Sequence, residues 1–439
     1  MIMENNKVKA VILAAGKGTR MKSDLPKVLH PIFSKPLLGY VLDSINSTGL
    51  VEENIVVVGH GAEKVENFVK DYSENAKCVL QSPQRGTGDA VYKANNLLKD
   101  FKGTVLVVCG DTPLIEADTI ADFIKTHEQS GAALTVMSAI FDNPTNYGRI
   151  VRNENGSLKC ITEEKDADEN VKKIKEINAG MYCLDKETVF PMFADLKCNN
   201  AQGEYYLTDI VAAVIEKGLK AEAYILKNNE EIFGINSKAN LAEATKILRN
   251  RTNKRLLDSG VTIVDPESAF ISPDTTIGTD TVIYPNVYIT GKNTIGSHCQ
   301  IGPFAHIRGG AEIGDNVRIG NFVEIKKSVV KSNTNVSHLS YIGDSELGEH
   351  VNIGAGTITA NYDPVLKTKT KTIIKDGANT GSNSVLVAPV TMHENSMCAA
   401  GSVITKDVEA NALALTRAPF KIFKEWVTER LQKGKSGEK

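Results

Sequence analysis

Two groups of side chains in this sequence have the types and spacing to move charged groups. The first begins in the loop Leu13-Ala14-Ala15-Gly16-Lys17-Gly18-Thr19-Arg20, which opens out of the apolar run Val8–Leu13. Small residues and two glycines let backbone N–H groups approach a phosphate. Lys17 and Arg20 add positive charge. The loop has neither the Walker spacing nor GxGxxG, and alone it reads equally well as a tight turn. Pro26-Lys27-Val28-Leu29 brings a further ammonium, and Gly110-Asp111 closes the run Val105–Cys109. A carboxylate at a strand end suits Mg²⁺, which takes one or two protein oxygens plus phosphates and water. On its own, Asp after a strand is more often a turn residue. The second group is Arg308, Lys326, His338, Tyr341, Asn352, Asn361 and Tyr362. His is the side chain best suited to accept a proton near pH 7, although a lone His is usually an ordinary surface residue.

These groups need rigid supports. Val8–Leu13, Asn54–Val58, Lys77–Leu80 and Thr104–Cys109 read as strands, with helices at Leu38–Ser47, Glu63–Lys70 and Gly88–Leu98. Alternating strand and helix predicts a Rossmann-like α/β fold with a parallel sheet. Ligands of such sheets gather beyond the carboxyl ends of strands. The Leu13–Arg20 loop and Gly110-Asp111 both follow strands.

The second support has a different period. Isoleucine stands at 277, 283, 289, 295, 301, 307, 313, 319 and 325, always six apart. Gly follows it at 278, 296, 302, 314 and 320. Neither a helix nor a flat strand has this period, and a β-sandwich would show period two. A left-handed parallel β-helix of hexapeptide repeats does, with three faces of about six residues per coil. Isoleucine would point inward and Gly would make the corner. The beat then slips twice, through Val336 and Ile342 to Leu347 and Ile353. A polar insertion, Ala360–Thr372, follows, and the beat resumes from Ile374 to Ile404. Solenoid insertions map to loops, often at a binding face. The second group of residues surrounds this disrupted zone.

The implied organisation is an α/β domain over 1–232, a linker over 233–260 and a β-helix domain over 261–439. Ser237 is a plausible cap for a linker helix over 238–258. A helical stretch, Phe420–Leu431, precedes a Lys/Gly/Ser tail expected to fray. A net charge of −2 over 439 residues gives no global drive toward nucleic acid or membrane. The seven Cys are scattered without CxxC, which fits free thiols in a reducing, cytoplasmic setting. No apolar run reaches membrane-spanning length, and Val8–Ala15 reads as a buried strand rather than a signal segment.

The string L-A-A-G-K-G-T-R-M-x5-P-K, from Leu13 to Lys27, resembles the signature of sugar-nucleotide pyrophosphorylases. Gln81 with Gly86-Thr87-Gly88 resembles their base-recognition stretch. Tyr147-Gly148-Arg149, Glu163 and Asn178-Ala179-Gly180 resemble their sugar-binding stretches, and Ile235-Asn236 the segment returning a second metal ligand. Ser337–Asp344, Asn352–Thr357 and Asn361–Asp363 extend the match. From about Lys9 to Arg417 the chain is similar to the bacterial bifunctional N-acetylglucosamine-1-phosphate uridyltransferase / glucosamine-1-phosphate acetyltransferase family.

That resemblance implies acetyl transfer from acetyl-CoA to glucosamine-1-phosphate, then UMP transfer from UTP with release of pyrophosphate. Leu13, Ala14, Ala15, Gly16, Lys27, Gln81, Gly86, Thr87, Gly148, Glu163, Asn178 and Asn236 would bind the uridyltransferase substrates. Arg20 and Lys27 would neutralise phosphate charge, and Asp111 and Asn236 would hold Mg²⁺. His338 would be the base of acetyl transfer. Arg308, Lys326, Tyr341 and Asn352 would hold the sugar phosphate; Ala355, Asn361, Tyr362, Ser382, Ala400 and Arg417 would line the acetyl-CoA site. The resemblance also implies a homotrimer serving cell-wall synthesis. Uridine over thymidine rests on it alone.

Two departures are visible. Ile307-Arg308-Gly309-Gly310-Ala311 stands where the family has Leu-Arg-Pro-Gly-Ala, and losing Pro loosens the backbone after Arg308. Asn379-Thr380 is more polar than the usual pair. Two rival readings are a pyrophosphorylase whose β-helix only oligomerises or regulates, and a nucleotide-binding scaffold without catalysis. His338, Lys326 and the insertion count against the first. The pairing of Asp111 with Asn236 counts against the second.

Overall fold

The computed structural model describes residues 7–436. The chain divides into two compact units between Leu248 and Arg249, inside a helix that runs Lys238–Asp258. Ser237 caps that helix, its hydroxyl accepting the Asn240 N–H at 3.2 Å.

In the first unit we label the main-sheet strands β1 Val8–Leu13, β2 Val51–Val58, β3 Ala76–Leu80, β4 Thr104–Cys109, β5 Leu134–Ile140, β6 Arg149–Arg152, β7 Leu158–Thr162, β8 Glu176–Asp185 and β9 Ala221–Ile225. The spatial order is β9-β5-β8-β4-β1-β2-β3, with β6 paired to β8 and β7. β1 to β4 are mutually parallel. The buried Val/Ile/Leu runs of β1, β2 and β4 are those of strands covered on both faces, while the edge strand β3 is only partly buried. The expected wholly parallel sheet is instead mixed, because β8 runs antiparallel to both β4 and β5. No crossover helix precedes β8; the chain arrives through the β6–β7 hairpin. The helix expected over Gly88–Leu98 runs only Thr87–Lys93, and Ala94–Asn96 tightens into a 3₁₀ turn at two weak helix formers, Asn95 and Asn96.

The second unit is a three-sided parallel β-helix. Among the described residues three sheets of nine, eight and seven strands form the faces, each pairing every third strand until the hairpin strands intervene. Ile283, Ile301 and Ile319 stack on one face, and Ile289, Ile307 and Ile325 on the next. Ile295 and Ile313 stack on the third. These isoleucines are buried in one continuous core. The two slips are coils shortened from 18 to 17 residues, as in Arg318↔Asn335 and Asn335↔Asn352. The insertion projects as a hairpin in which Tyr362–Asp363 pairs with Thr368–Lys369.

Gly302 is left-handed at φ 98°, as a corner glycine should be, but the other four differ from expectation. Gly278, Gly296 and Gly314 are not the left-handed residues, but a Cβ at each would collide with the next coil. The positive φ falls two residues later, at Asp280, His298 and Asn316, types that tolerate the left-handed region. Glycine here permits close stacking, while Asn, Asp and His make the turn. Thr380 explains the polar pair at 379–380. Buried at 4% exposure, its hydroxyl lies 2.9 Å from Thr357 Oγ1 and accepts the Gly354 N–H. Gly309 is not demanded by crowding, since a Cβ there meets only ordinary contacts, whereas Gly310 has φ 86°.

The terminal helix runs Trp426–Ser436, later than the expected Phe420–Leu431. Glu425 adopts φ 57°, which breaks the helical path just before it. The last three residues of the tail expected to fray, 437–439, lie outside the described residues.

Candidate active sites

In the first unit, the carboxyl ends of β1, β3 and β4 open on a cavity of about 610 Å³. Leu13, Ala14, Ala15, Gly16, Lys27, Gln81, Gly86, Thr87 and Asp111 all line it. Gln81 is 5% exposed, and its Nε2 donates to the Gly86 carbonyl at 2.9 Å and to Asp89 at 2.8 Å. Gly86 has φ 116°, and a Cβ there would strike the Tyr205 backbone. Only glycine therefore lets this turn close under the cavity.

The cations converge on the metal candidates. Lys27 Nζ contacts Asp111 Oδ2 and donates to Asn236 Oδ1 at 3.2 Å. Arg20 Nη2 donates to the same Oδ1 at 3.0 Å. Asn236 is held there from both sides. The Ile235 N–H donates to the Asp111 carbonyl at 3.0 Å, and the Asn236 N–H to Asn240 Oδ1 at 3.3 Å. A hard divalent cation fits the Asp111–Asn236 pair, because a positive ammonium already sits against both oxygens. Among the described residues no cluster of three or more His, Cys, Asp or Glu could hold a metal. Two protein oxygens completed by phosphates and water are what Mg²⁺ accepts. Cys109 lines the same cavity; burial, with Asp111 adding to it, pushes its thiol up to about 12.

Gly148, Glu163 and Asn178 form a second cluster. A Cβ on Gly148 would lie 3.4 Å from Glu163 Oε2 and 3.6 Å from Asn178 Cβ. Burial raises the Glu163 pKa, and the Thr208 hydroxyl, donating at 3.2 Å, opposes this. Arg149 braces the loop from behind. It is 1% exposed, pairs with Glu164 at 2.7 Å and donates to the Tyr147 carbonyl.

In the second unit one corner carries four of the expected residues. Phe322, Leu339, Gly356, Asn383 and Gly401 make this corner on successive coils, all with positive φ. Each is preceded by an outward residue: Asn321, then His338, Ala355, Ser382 and Ala400. Backbone bonds tie the column. Leu339 N–H donates to Asn321 O, Gly356 N–H to His338 O, Asn383 N–H to Ala355 O and Gly401 N–H to Ser382 O, at 2.7–3.2 Å. The base candidate thus shares a column with three acetyl-CoA candidates. Arg417 is exposed just beyond the last coil.

Two of the four phosphate candidates, Arg308 and Lys326, stand at the far end of the adjoining face. Arg308 and Lys326 are register partners, and Tyr341 heads the next strand of that face. Arg308 also pairs with Glu324 at 3.0 Å. The hairpin reaches back to them: Asn361 donates to Asp344, and Lys369 crowds Lys326. The Lys369 ammonium, then burial, hold the Lys326 pKa below its ordinary value. Asn352 stacks with Asn335 and Asn379 on a different face, and Tyr362 is 54% exposed on the hairpin. Among the described residues no hydrogen bond joins His338 to Arg308, Lys326, Tyr341 or Asn352.

Sequence reasoning did not single out Asn321, Lys369 or Glu204, the last of which lines the cavity of the first unit. Asn321 was findable, since it lies one 17-residue coil before His338. Lys369 was not: in Lys367-Thr368-Lys369-Thr370-Lys371 nothing distinguishes one lysine from the next.

Residues 9–242 match the nucleotidyl transferase family model, and residues 294–327 the bacterial transferase hexapeptide model of six repeats. The chain is 45% identical to the bifunctional protein GlmU of Heliobacterium modesticaldum, over 97% of this chain and 98% of that protein. Against the same-named protein of Bacillus cytotoxicus it is 46% identical, covering 97% and 99%. Against that of Bacillus subtilis it is 44% identical, covering 93% and 96%. With a nucleotidyl transferase unit, a hexapeptide β-helix and full-length similarity of this depth, the chain belongs to the family of bifunctional GlmU proteins.

Proposed function

We propose that the two clusters carry the two half-reactions of this bifunctional transferase on the way to UDP-N-acetylglucosamine, a cell-wall precursor. The observation that carries the reading is the convergence of Lys27, Arg20, Asp111 and Asn236 at the mouth of the nucleotide cavity.

In uridylyl transfer a phosphate oxygen of N-acetylglucosamine-1-phosphate attacks the α-phosphorus of UTP. The Pα–O–Pβ bond breaks and pyrophosphate leaves. The nucleophile is already anionic, so positioning and charge neutralisation dominate. Gln81 has its amide donors committed, and its Oε1 serves as acceptor for the uracil N–H. The Leu13–Gly16 backbone cradles phosphate. Glu163, Gly148 and Asn178 hold the sugar. Mg²⁺ on Asp111 and Asn236 supplies charge neutralisation when bound. Lys27 and Arg20 meet the charge that grows on the leaving pyrophosphate.

In acetyl transfer the amine of glucosamine-1-phosphate attacks the thioester carbonyl. The C–S bond breaks, and the amine proton passes to His338 as free coenzyme A leaves. Arg308, Lys326, Tyr341 and Asn352 hold the sugar phosphate, while Ala355, Asn361, Tyr362, Ser382, Ala400 and Arg417 line the donor. Phe304 and Phe322 stack at 5.3 Å on the His338 corner and are about half exposed. That apolar column supports a homotrimer in which a neighbour walls the site. Seven free thiols support a cytoplasmic setting. No helix among the described residues is long and apolar enough to cross a membrane.

The test is a pair of variants read by two assays, free thiol for acetyl transfer and pyrophosphate for uridylyl transfer. Asp111→Asn should cut pyrophosphate release by orders of magnitude and spare thiol release. His338→Ala should lower thiol release by about 10²–10⁴-fold and spare pyrophosphate release. Equal loss of both activities in either folded variant contradicts separate sites.

A further inference from the structure

We infer that Asn321 is a positioning residue for acetyl transfer, holding His338 in the tautomer whose Nε2 accepts the proton. The inference rests on the reading of His338 as the base. His338 Nδ1 lies 3.1 Å from Asn321 Oδ1. A carbonyl oxygen only accepts, so Nδ1 carries the hydrogen and the lone pair stands on Nε2.

The arrangement is built by the coil. Asn321 ends the strand Arg318–Asn321, His338 ends Asn335–His338, and the two are register partners on adjacent coils. Gly320, just before Asn321, has no room for a side chain, since a Cβ would collide with the Ser337 carbonyl. The coils are therefore at closest approach beside the pair, and sliding is blocked. The His338 carbonyl is pinned from two directions. It accepts the Gly356 N–H at 3.2 Å and the Ser340 hydroxyl at 2.8 Å. The backbone is thus fixed while the side chain is exposed, so the Asn321 hydrogen bond is the contact that orients the ring.

The partner is a neutral amide. Nearby acids are committed elsewhere: Glu324 pairs with Arg308 and Asp344 accepts from Asn361. The stacked neighbours of His338, Asn321 on one coil and the Ala355-Gly356 turn on the next, carry no charge. An amide fixes the tautomer without adding a negative charge that would hold the imidazolium after the proton is taken. During reaction the amine nitrogen forms its bond to the acetyl carbon, the C–S bond breaks, and the proton goes to Nε2. The Nδ1–H bond to Asn321 is kept throughout.

The experiment uses the full chain, with uridylyl transfer as the internal check on folding. Asn321→Ala should lower the acetyl-transfer kcat about tenfold, the size of one hydrogen bond, with both KM values near wild type. Asn321→Asp keeps an oxygen acceptor, so it should recover most of kcat, and its carboxylate should move the acid limb of the pH profile upward. Adding Asn321→Ala to His338→Ala should cost nothing more. An unchanged kcat in Asn321→Ala overturns the inference, and so does a loss that Asn321→Asp neither recovers nor shifts in pH. If His338→Ala keeps full acetyl transfer, the base reading itself falls and the positioning role with it.

Discussion

Arg20 and Lys27 reach the same atom: both donate to Oδ1 of Asn236, at 3.0 and 3.2 Å. Lys27 also contacts Asp111, so its ammonium occupies the place between the two oxygens a divalent cation would use. Cation and lysine compete for one pocket. A divalent cation held by Asp111 and Asn236 would displace the Lys27 ammonium, leaving it free to meet phosphate charge on the proposed function.

The first prediction follows from that competition. Lys27→Met should raise Mn²⁺ affinity of the enzyme without nucleotide, read as free Mn²⁺ by electron paramagnetic resonance. A charged hydrogen bond is worth about 1.5–3 kcal/mol, so the gain should be about tenfold or more. Turnover in uridylyl transfer should fall nonetheless. Lys17→Met removes the same charge from the same cavity without touching Asp111. Equal gains in both variants would reduce the effect to general electrostatics, and no gain in Lys27→Met would refute the competition. Asp111→Asn should abolish the binding in either background.

The second prediction concerns acid. His127 is 4% exposed on the helix Ala117–Ser130, with Nδ1 2.8 Å from Thr135 Oγ1. Burial pulls its pKa from 6.5 to about 4, only partly opposed by Asp185. The unfolded chain takes up this proton before the folded one does. The stability is therefore complete above pH 6.5 and lost as pH falls toward 4. About 3 kcal/mol is at stake. In thermal melts from pH 7 to 4, His127→Gln should flatten the slope for the first unit. A variant whose Tm falls with pH as steeply as wild type would show that other groups govern acid sensitivity.

What the sequence disclosed depended on period and position. The β-helix was legible because a six-residue beat can be satisfied only by stacked coils, and Ile283, Ile301 and Ile319 stack as that beat requires. The cavity of the first unit was legible because Leu13 ends a strand and Gln81 and Asp111 follow strands, where parallel sheets gather ligands. The direction of β8 was not, because pairing partners of a strand are set by long-range packing rather than by its own residues. The corner geometry was misread at most positions because a Gly after five of the nine isoleucines suggests a dihedral requirement, which only Gly302 bears out. The structure instead uses Gly278 and Gly296 for clearance and Asp280 and His298 for the turn. Lys369 was invisible because its role depends on how the hairpin folds back.

The third prediction tests the departure at Gly309. A Cβ there would lie 3.4 Å from Gly291 Cα, ordinary contact, and Gly309 has no positive φ. Proline is compatible on both counts and reduces the freedom of the unfolded chain. Gly309→Pro should therefore raise stability by about 0.4–1 kcal/mol, measured by denaturant unfolding of the second unit, with acetyl transfer kept. Gly310→Pro is the contrast, since φ 86° is closed to proline. A destabilised Gly309→Pro would mean that its N–H or ψ carries a constraint that clearance alone does not report.

The last prediction assigns work to the hairpin. Lys369 reaches back from the insertion to Lys326, and its ammonium is the largest influence holding the Lys326 pKa down. Two ammonium groups facing each other, with Arg308 nearby, repel until an anion comes between them. On the proposed function a sugar phosphate would relieve that repulsion, and the hairpin would contribute a third cation beside Arg308 and Lys326. The contribution is to holding the substrate, because none of these groups touches the bond that breaks. Lys369→Ala should thus raise the KM for glucosamine-1-phosphate about tenfold, the weight of one charged hydrogen bond. The acetyl-transfer kcat should change little. Added salt should shrink the difference between variant and wild type. Lys371, two residues on, is committed to Glu346 and serves as the control: Lys371→Ala should leave KM near wild type. Equal effects from both lysines would make the hairpin a general positive surface, and an unchanged KM in Lys369→Ala would leave Arg308 and Lys326 as the only cations on the phosphate.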